Sequence, residues 1–141
     1  MYFDPQKTPV IRNYGQQEVQ YIRVTINFND ANIAAGVRFA RLPQYAFVTY
    51  LQAHVETVFN AATTNVVTVG TTQANANEII GTADLNEASA TFQNMTTAAG
   101  LGVAVTAAGD VDVWAKYTQT GAAATAGKAH IIIAYMLNND L

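Results

Sequence analysis

The stretch from residue 46 to residue 70 decides the fold: it reads AFVTYLQAHVETVF, then NAATTN, then VVTVG. Successive side chains of a strand point to opposite faces, so residues 46–59 predict one long β-strand. Its apolar face carries Phe47, Leu51, Ala53, Val55 and Phe59, and its mixed face carries Val48, Tyr50, Gln52, His54, Glu56 and Val58. It would span roughly 46 Å, against about 17–20 Å for an ordinary strand, so we expect it to bulge or bend and to serve two sheets.

The rest of the chain supplies further strand-like segments, separated by turns. The segments that predict strands are 19–28, 37–42, 66–69, 111–118 and 128–137. Residues 128–137 are apolar on both faces, which predicts a strand that is central in its sheet or covered. On 111–118, Val113 and Tyr117 oppose Trp114, so the indole is expected on the face away from the alternating apolar side chains.

One segment, residues 84–95, has helical spacing. Leu85, Ala88 and Phe92 share one side of it, and Asp84 or Asn86 would cap it, so it predicts a short helix. The sequence TAAG occurs at 97–100 and again at 106–109, which predicts two similar turns around residues 101–105.

These elements predict an all-β protein, a jelly-roll-like β-sandwich of about seven or eight strands with at most one short helix. Residues 1–18 contain Pro5 and Pro9 without periodicity, and we interpret them as an extended N-terminal arm. Residues 19–141 are expected to form a single β-sandwich domain. Residues 1–10 lack a basic region followed by an apolar core, and no apolar run approaches about 20 residues, so we expect neither a secretory signal nor a transmembrane helix.

Charge is scarce, at 12% of residues against about 25% in ordinary domains. The cores of protein interfaces are depleted of charge in the same way, and exposed sheet edges are normally protected by charge, especially Lys. One interpretation is a neutral β-protein kept soluble by amides and hydroxyls. The composition favours the other, in which much of the surface is covered in an assembly.

The charge is also uneven along the chain. Residues 1–41 carry five basic and three acidic side chains, 5 − 3 = +2, whereas residues 42–141 carry two basic and seven acidic ones, 2 − 7 = −5. This asymmetry is too weak for a nucleic-acid-binding protein, which shows a clustered basic face. It fits either plain solvated charge or a basic arm that docks on the acidic body of a neighbour.

Few residues of this chain could take part in catalysis, and they are poorly placed for it. There is no Cys, and Ser89 lacks the glycines of a nucleophile elbow. His54, His130 and Glu56 are the residues available for a metal site, but the His-x-His pair of cupin-like jelly rolls is missing. Asp110 and Asp112 share a strand face without further oxygen ligands nearby. We therefore predict no enzyme, no cofactor and no metal.

Trp114 lies between Asp112 and Lys116 on its strand face. Three roles remain open for it from the sequence: packing in the core or between sheets, an anchor in a protein interface, and a stacking platform for carbohydrate.

The segments VETVFNAATTNVVTVGTT (55–72), ADLN (83–86), AAGLG (98–102) and VWAKYTQTGAAATAGKAHIIIAY (113–135) resemble small virion proteins of tailed bacteriophages. Among these, the chain looks most similar to capsid decoration, or cement, proteins with a jelly-roll body. The resemblance spans about residues 37–137, and the arm at 1–18 matches no family pattern.

The resemblance implies a protein that binds the outer surface of an icosahedral head and bridges neighbouring major capsid subunits. It implies as partners the major capsid protein and further copies of itself, with a homodimer favoured and a trimer possible, and neither nucleic acid nor membrane. It also implies a location on the capsid outer surface, after assembly in the host cytoplasm. The residues predicted to contact the capsid or another subunit are Lys7, Arg12, Arg38, Arg41 and Trp114. The alternative functions are a carbohydrate-binding adhesin module and a tail or baseplate component.

Overall fold

The computed structural model of the protein describes residues 19–96, 98, 100, 101, 105 and 109–137. Within them, seven β-strands and no helix are present, which confirms the all-β prediction. The strands are β1 (Gln20–Asn27), β2 (Val37–Leu42), β3 (Ala46–Thr57), β4 (Thr64–Gly70), β5 (Phe92–Asn94), β6 (Val111–Thr120) and β7 (Lys128–Leu137). The predicted arm at 1–18, with Lys7 and Arg12, and most of the two predicted TAAG turns lie outside the described residues.

The chain changes sheet at every connection between strands. Odd-numbered strands form a four-stranded sheet in the order β1-β7-β3-β5, and even-numbered strands form a three-stranded sheet in the order β2-β6-β4. All pairs are antiparallel. A jelly roll has eight strands in two sheets. Here the position beside β4 is held by Ile80, which makes a single bridge to Val69.

The core lies between the inner faces of the two sheets. Val113, Ala115 and Tyr117 of β6 are buried at alternate positions, as the sequence predicts. Strand β7 is central in its sheet, and its Ile131 and Ile133 are fully buried. This confirms the prediction made from its apolar faces.

The long strand β3 stays in one sheet, so the prediction that it serves two sheets is wrong. Its register against β7 shifts between Val48 and Tyr50 and again between Val55 and Thr57. A bulge inserts one residue and reverses which face the following side chains take. Val48 is therefore buried, and Phe47 lies opposite Met136 on the outer face instead of in the core with Leu51.

The predicted helix at 84–95 is also wrong, because its polar side chains bind nearby backbone groups and form turns. Asp84 accepts a hydrogen bond from the Gly81 N–H at 2.6 Å, and Asn86 accepts one from the Ala88 N–H at 3.1 Å. Such local bonds compete with the helical ladder. The segment ends in β5, where Phe92 lies opposite His54.

Candidate interaction surface

The outer face of the three-stranded sheet carries three of the sequence-predicted contact residues. Arg41 Nε donates to Asp112 Oδ1 at 2.8 Å, and Arg38 Nη1 donates to Asp112 Oδ2 at 3.4 Å. Burial raises the pKa of Asp112, but the hydrogen bonds from the two arginines outweigh it and hold the pKa below its ordinary value. Trp114 is opposite Arg38 in the register and is half-buried, so its indole belongs to this outer face and not to the core.

A loop covers part of this face. Residues 71–78 leave the end of β4 and reach the start of β2, where Gln73 Nε2 donates to the Gly36 carbonyl at 3.1 Å. On the way, the Ala74 carbonyl accepts a bond from Lys116 Nζ at 2.9 Å. The loop also packs against Gly70, where an added Cβ would lie 2.6 Å from the Asn77 nitrogen. The ammonium of Lys116 and the surface around it are thus already engaged within the molecule.

The space between the loop and the sheet is a groove of about 230 Å³. It is lined mainly by hydroxyl, amide and small side chains: Val66, Thr68, Ala74, Asn75, Ala76, Asn77, Thr82, Lys116 and Thr118. Its chemistry suits a small polar group, such as a sugar hydroxyl, better than an apolar side chain.

The outer face of the four-stranded sheet is different, because it presents aromatic side chains to solvent. Tyr21 is 68% exposed, Tyr50 is 42% exposed and Phe92 is 53% exposed. They come from three strands, and the register places them on the face opposite the buried Ile131 and Ile133. We call this surface the aromatic face, which also includes the half-buried Phe47, Ile132 and Met136.

The polar side chains at the centre of the aromatic face bond to one another. Tyr50 Oη donates to Asn94 Oδ1 at 3.1 Å, and Gln52 Nε2 donates to the same oxygen at 2.8 Å. Gln52 Nε2 also lies 2.8 Å from Tyr50 Oη. These bonds hold the side chains of Tyr50, Gln52 and Asn94 in place, so these three residues lose little side-chain entropy when a partner binds.

Charge on the aromatic face is concentrated at the end nearest residue 128. The His54 and His130 rings are stacked with centroids 6.0 Å apart, and His130 Nε2 is 2.7 Å from Glu56 Oε2. Lys128 Nζ is 2.9 Å from the same carboxylate oxygen. The hydrogen bond to His130, followed by that from Lys128, lowers the pKa of Glu56.

The fold therefore brings together the two histidines and the glutamate that the sequence offers as metal ligands. Both nitrogens of His130 are occupied, since Nδ1 lies 2.9 Å from Thr25 Oγ1 and Nε2 is bonded to Glu56. Among the described residues, no group of three His, Cys, Asp or Glu side chains has the arrangement of a metal site. The cluster is an ion pair between Glu56 and Lys128, to which His130 is hydrogen-bonded.

The acidic pair at the start of β6 is divided between two different structural bonds. Asp110 Oδ1 accepts from the Gln44 N–H at 3.1 Å, whereas Asp112 binds the two arginines of β2. Their carboxylates thus support the β2–β3 turn and the sheet.

In the part of the chain that the structure describes, no helix is both long and apolar enough to cross a bilayer.

Sequence reasoning missed the aromatic face. Strict alternation places Tyr21 and Tyr50 on outward faces, so a signal for these two residues was present in the sequence. Phe92 gave no such signal, because its position depends on the pairing of β5 with β3.

No protein-family model matches the chain, and no curated protein matches it. Among solved structures, it is similar to a chain of the cyanophage Pam1 capsid asymmetric unit, with 17% sequence identity and a TM-score of 0.62. The match covers 96% of this chain and 98% of that chain. The two chains thus share a fold over nearly their whole lengths.

Proposed function

We propose that this protein is a virion structural protein without enzymatic activity, which binds the outer surface of an icosahedral phage head and bridges neighbouring major capsid subunits. The observation that carries the proposal is the near-complete likeness of fold to a chain of a phage capsid. The charge-poor composition, at 12%, adds independent support, because surfaces covered in an assembly carry little charge.

The aromatic face is the best-supported contact surface for the shell. Large exposed apolar patches mark interaction sites, and aromatic residues are enriched among the anchors of interfaces. Tyr21, Tyr50 and Phe92 are the largest exposed side chains of this kind on that sheet. A face repeated by icosahedral symmetry needs only modest affinity per copy to bind firmly in total.

We assign to the predicted arm a second contact with a neighbouring subunit, which is electrostatic. Lys7 and Arg12 would reach an acidic neighbour, in line with the net charge of +2 on residues 1–41. Such contacts between exposed charges weaken as salt rises. Replacing both residues with Gln in the full chain should lower shell binding at 50 mM salt and have little effect at 500 mM salt. An equal loss at both salt concentrations would argue against this role.

The decisive experiment mixes the purified protein with heads of its phage that lack it and images them by cryo-electron microscopy. Regular density on the outside of the shell, at positions between major capsid subunits, is the expected result. Density on the tail alone would favour the tail or baseplate alternative, and an absence of bound protein would overturn the proposal.

A carbohydrate-binding adhesin module is the second candidate, and the groove beside Lys116 is the observation that favours it. Trp114 is half-buried on the same outer face and would supply the stacking surface. The change Trp114→Ala should abolish glycan binding in an adhesin, whereas a cement protein should bind heads with only a modest loss. A glycan array and a head-binding assay on the same variant separate the two functions.

A further inference from the structure

The backbone conformation of one residue, Tyr45, differs from what its side chain favours. Among the residues that the structure describes, five have a positive φ, and three of these are glycines. The fourth is Asn32, with a φ of 63°. Glycine lacks the Cβ that crowds the backbone in this region, and the short polar side chain of asparagine can hydrogen-bond locally. The fifth is Tyr45, with a φ of 65°, and a bulky side chain is rare there.

Tyr45 lies in the tight turn that joins β2 to β3 and so connects the two sheets. The Ala46 N–H donates to the Pro43 carbonyl at 3.0 Å, which closes a turn with Gln44 and Tyr45 at its centre. Of these two central residues only Tyr45 has a positive φ, so the turn is of type II. The second central position of a type II turn favours glycine or asparagine. A tyrosine at this position therefore makes the folded state less stable than the favoured residue would.

The turn is held by hydrogen bonds of the backbone. The Gln44 N–H donates to Asp110 Oδ1 at 3.1 Å, and the Tyr45 N–H donates to the Val105 carbonyl at 3.1 Å. The Val105 N–H donates in turn to the Ala46 carbonyl at 2.7 Å. A strained residue persists only where its surroundings fix its conformation in this way. Because every turn residue takes part through its backbone, the same bonds would hold asparagine at position 45.

The side chain of Tyr45 is presented to solvent. It is 44% exposed. The hydroxyls of Tyr50 and Tyr117 donate to other side chains, whereas no described residue bonds to the hydroxyl of Tyr45. Two residues further on, Phe47 lies opposite Met136 on the aromatic face. Tyr45 therefore stands just beyond the end of the aromatic face, on the turn between the sheets.

We infer that Tyr45 is an aromatic anchor that inserts into a pocket of a major capsid subunit at the end of the aromatic face. Strained residues are concentrated at functional sites, where the strain is retained because the side chain is needed. Tyrosine is enriched among interface anchors, since it joins a large apolar ring to one hydrogen-bonding group. The pocket that fits it has apolar walls and a polar group that bonds to the hydroxyl.

The turn also suits an anchor in its energetics. Its backbone is already fixed by hydrogen bonds before a partner arrives, so little loop ordering remains to oppose binding. The inference rests on the proposed function and adds to it a contact that extends past the flat sheet.

The test is Tyr45→Asn, which supplies a residue that the turn favours and removes the ring. Asparagine is used instead of glycine because glycine would also add freedom to the unfolded chain. The variant should keep or raise the melting temperature and should weaken binding to heads that lack the protein by about thirtyfold, the effect of losing one interface hot spot. A lower melting temperature would mean that the ring serves the fold, and unchanged head binding would mean that it contacts nothing there. Either result would overturn the inference.

Tyr45→Phe separates the ring from the hydroxyl. It keeps the aromatic side chain, so its loss of head affinity should be smaller than that of Tyr45→Asn. Equal losses for the two variants would contradict an aromatic anchor.

Asn32→Tyr is the matched control, because it places a tyrosine at the other described non-glycine position of positive φ, where the side chain is also exposed. It should lower the melting temperature and leave head binding unchanged. An unchanged melting temperature would mean that tyrosine is not strained in this conformation, which removes the premise of the inference. A loss of head affinity equal to that of Tyr45→Asn would show that the effect is not specific to Tyr45.

The inference and the proposed function give different results in this experiment. A wild-type protein that does not bind heads would overturn both. A wild type that binds heads, together with a Tyr45→Asn variant that binds equally well, would overturn the anchor and leave the capsid role standing.

Discussion

The two outer faces of the sandwich are both formed by antiparallel strands, but they differ in how far their side chains are already engaged within the molecule. On the three-stranded sheet, the loop at 71–78 bonds to Lys116 and Gly36, and two arginines are paired with Asp112. On the four-stranded sheet, Tyr50 and Phe92 are exposed, and the polar groups between them bond to one another. The first face is largely satisfied within the molecule, whereas the second can still gain by burial.

The difference teaches that a conspicuous residue and an available surface are separate properties. Trp114 and the arginines attract attention in the sequence because they are rare in this chain. Their neighbours in the fold reduce what they can offer to a partner. Exposed ion pairs contribute little to stability or binding, but apolar area removed from water contributes about 25 cal/mol per Å².

The largest effect is expected from adding charge to the aromatic face. Tyr50→Asp combined with Phe92→Asp should lower affinity for heads about a thousandfold, because each interface anchor contributes about 2 kcal/mol. Both side chains are exposed, so the fold should persist, which circular dichroism checks. The matched control is Thr118→Asp with Asn75→Asp, which adds the same charge on the other side of the sandwich. A larger loss of head affinity from the control pair would mean that the three-stranded sheet, and not the aromatic face, contacts the shell.

The next effect concerns the loop that covers the three-stranded sheet. Gly70→Ala should lower the free energy of unfolding by about 1–3 kcal/mol, the usual result of overpacking, since the new Cβ would meet the backbone of residues 76 and 77. Gly109→Ala is the control, because no described residue lies within 4 Å of an added Cβ there. Urea denaturation measures both. Equal stability of the two variants would mean that the loop does not pack on this face.

A smaller, pH-dependent effect is expected at Glu87, which helps to cover the β4 edge. Burial raises the pKa of Glu87 above 4.5, although the Val67 N–H opposes the shift. The stability linked to its proton is complete below pH 4.5 and is lost as pH rises through the raised pKa. Glu87→Gln should therefore raise the melting temperature at pH 7, with a gain that shrinks towards pH 4.

Glu78 provides a control of opposite sign. Burial raises its pKa, but hydrogen bonds from the Thr72 side chain and from the backbone of residues 71, 77 and 78 outweigh burial, and the net shift is downward. The contribution of the ionised Glu78 to the free energy of unfolding is present above pH 4.5 and is lost as pH falls through the lowered pKa. Glu78→Gln should lower the melting temperature at pH 7. Equal signs for the two variants would contradict this assignment.

The smallest effect is expected from the arginines of β2. Arg38→Gln combined with Arg41→Gln should leave the melting curve unchanged within error, because both side chains are more than half exposed and exposed ion pairs contribute little. Head binding should change less than about threefold, on the scale of one weak contact. A tenfold loss would instead support the sequence-based prediction that Arg38 and Arg41 contact the shell.

The sequence predicted most of the strands because their signal is local. Alternation in residues 111–118 and the apolar run at 128–137 report burial directly, and both became strands with the expected faces. Three predictions were wrong: that β3 serves two sheets, that Phe47 is on its buried face, and that residues 84–95 form a helix. The helix failed because Asp84 and Asn86 bind nearby backbone groups, whereas the course of β3 and the strand at 92–94 depend on pairing with distant segments. A bulge against β7 and a three-residue pairing with β3 leave no periodic trace in the local sequence.

By itself, therefore, the sequence determined a charge-poor, all-β sandwich, since composition and two-residue periodicity are properties of the chain alone. Only the tertiary structure decided which outer face is covered by a loop and that His54 stacks on His130. These features arise from the register between strands and from the position at which the loop at 71–78 packs on the sheet. Both are set by contacts between residues far apart in the chain, where local propensity carries no information.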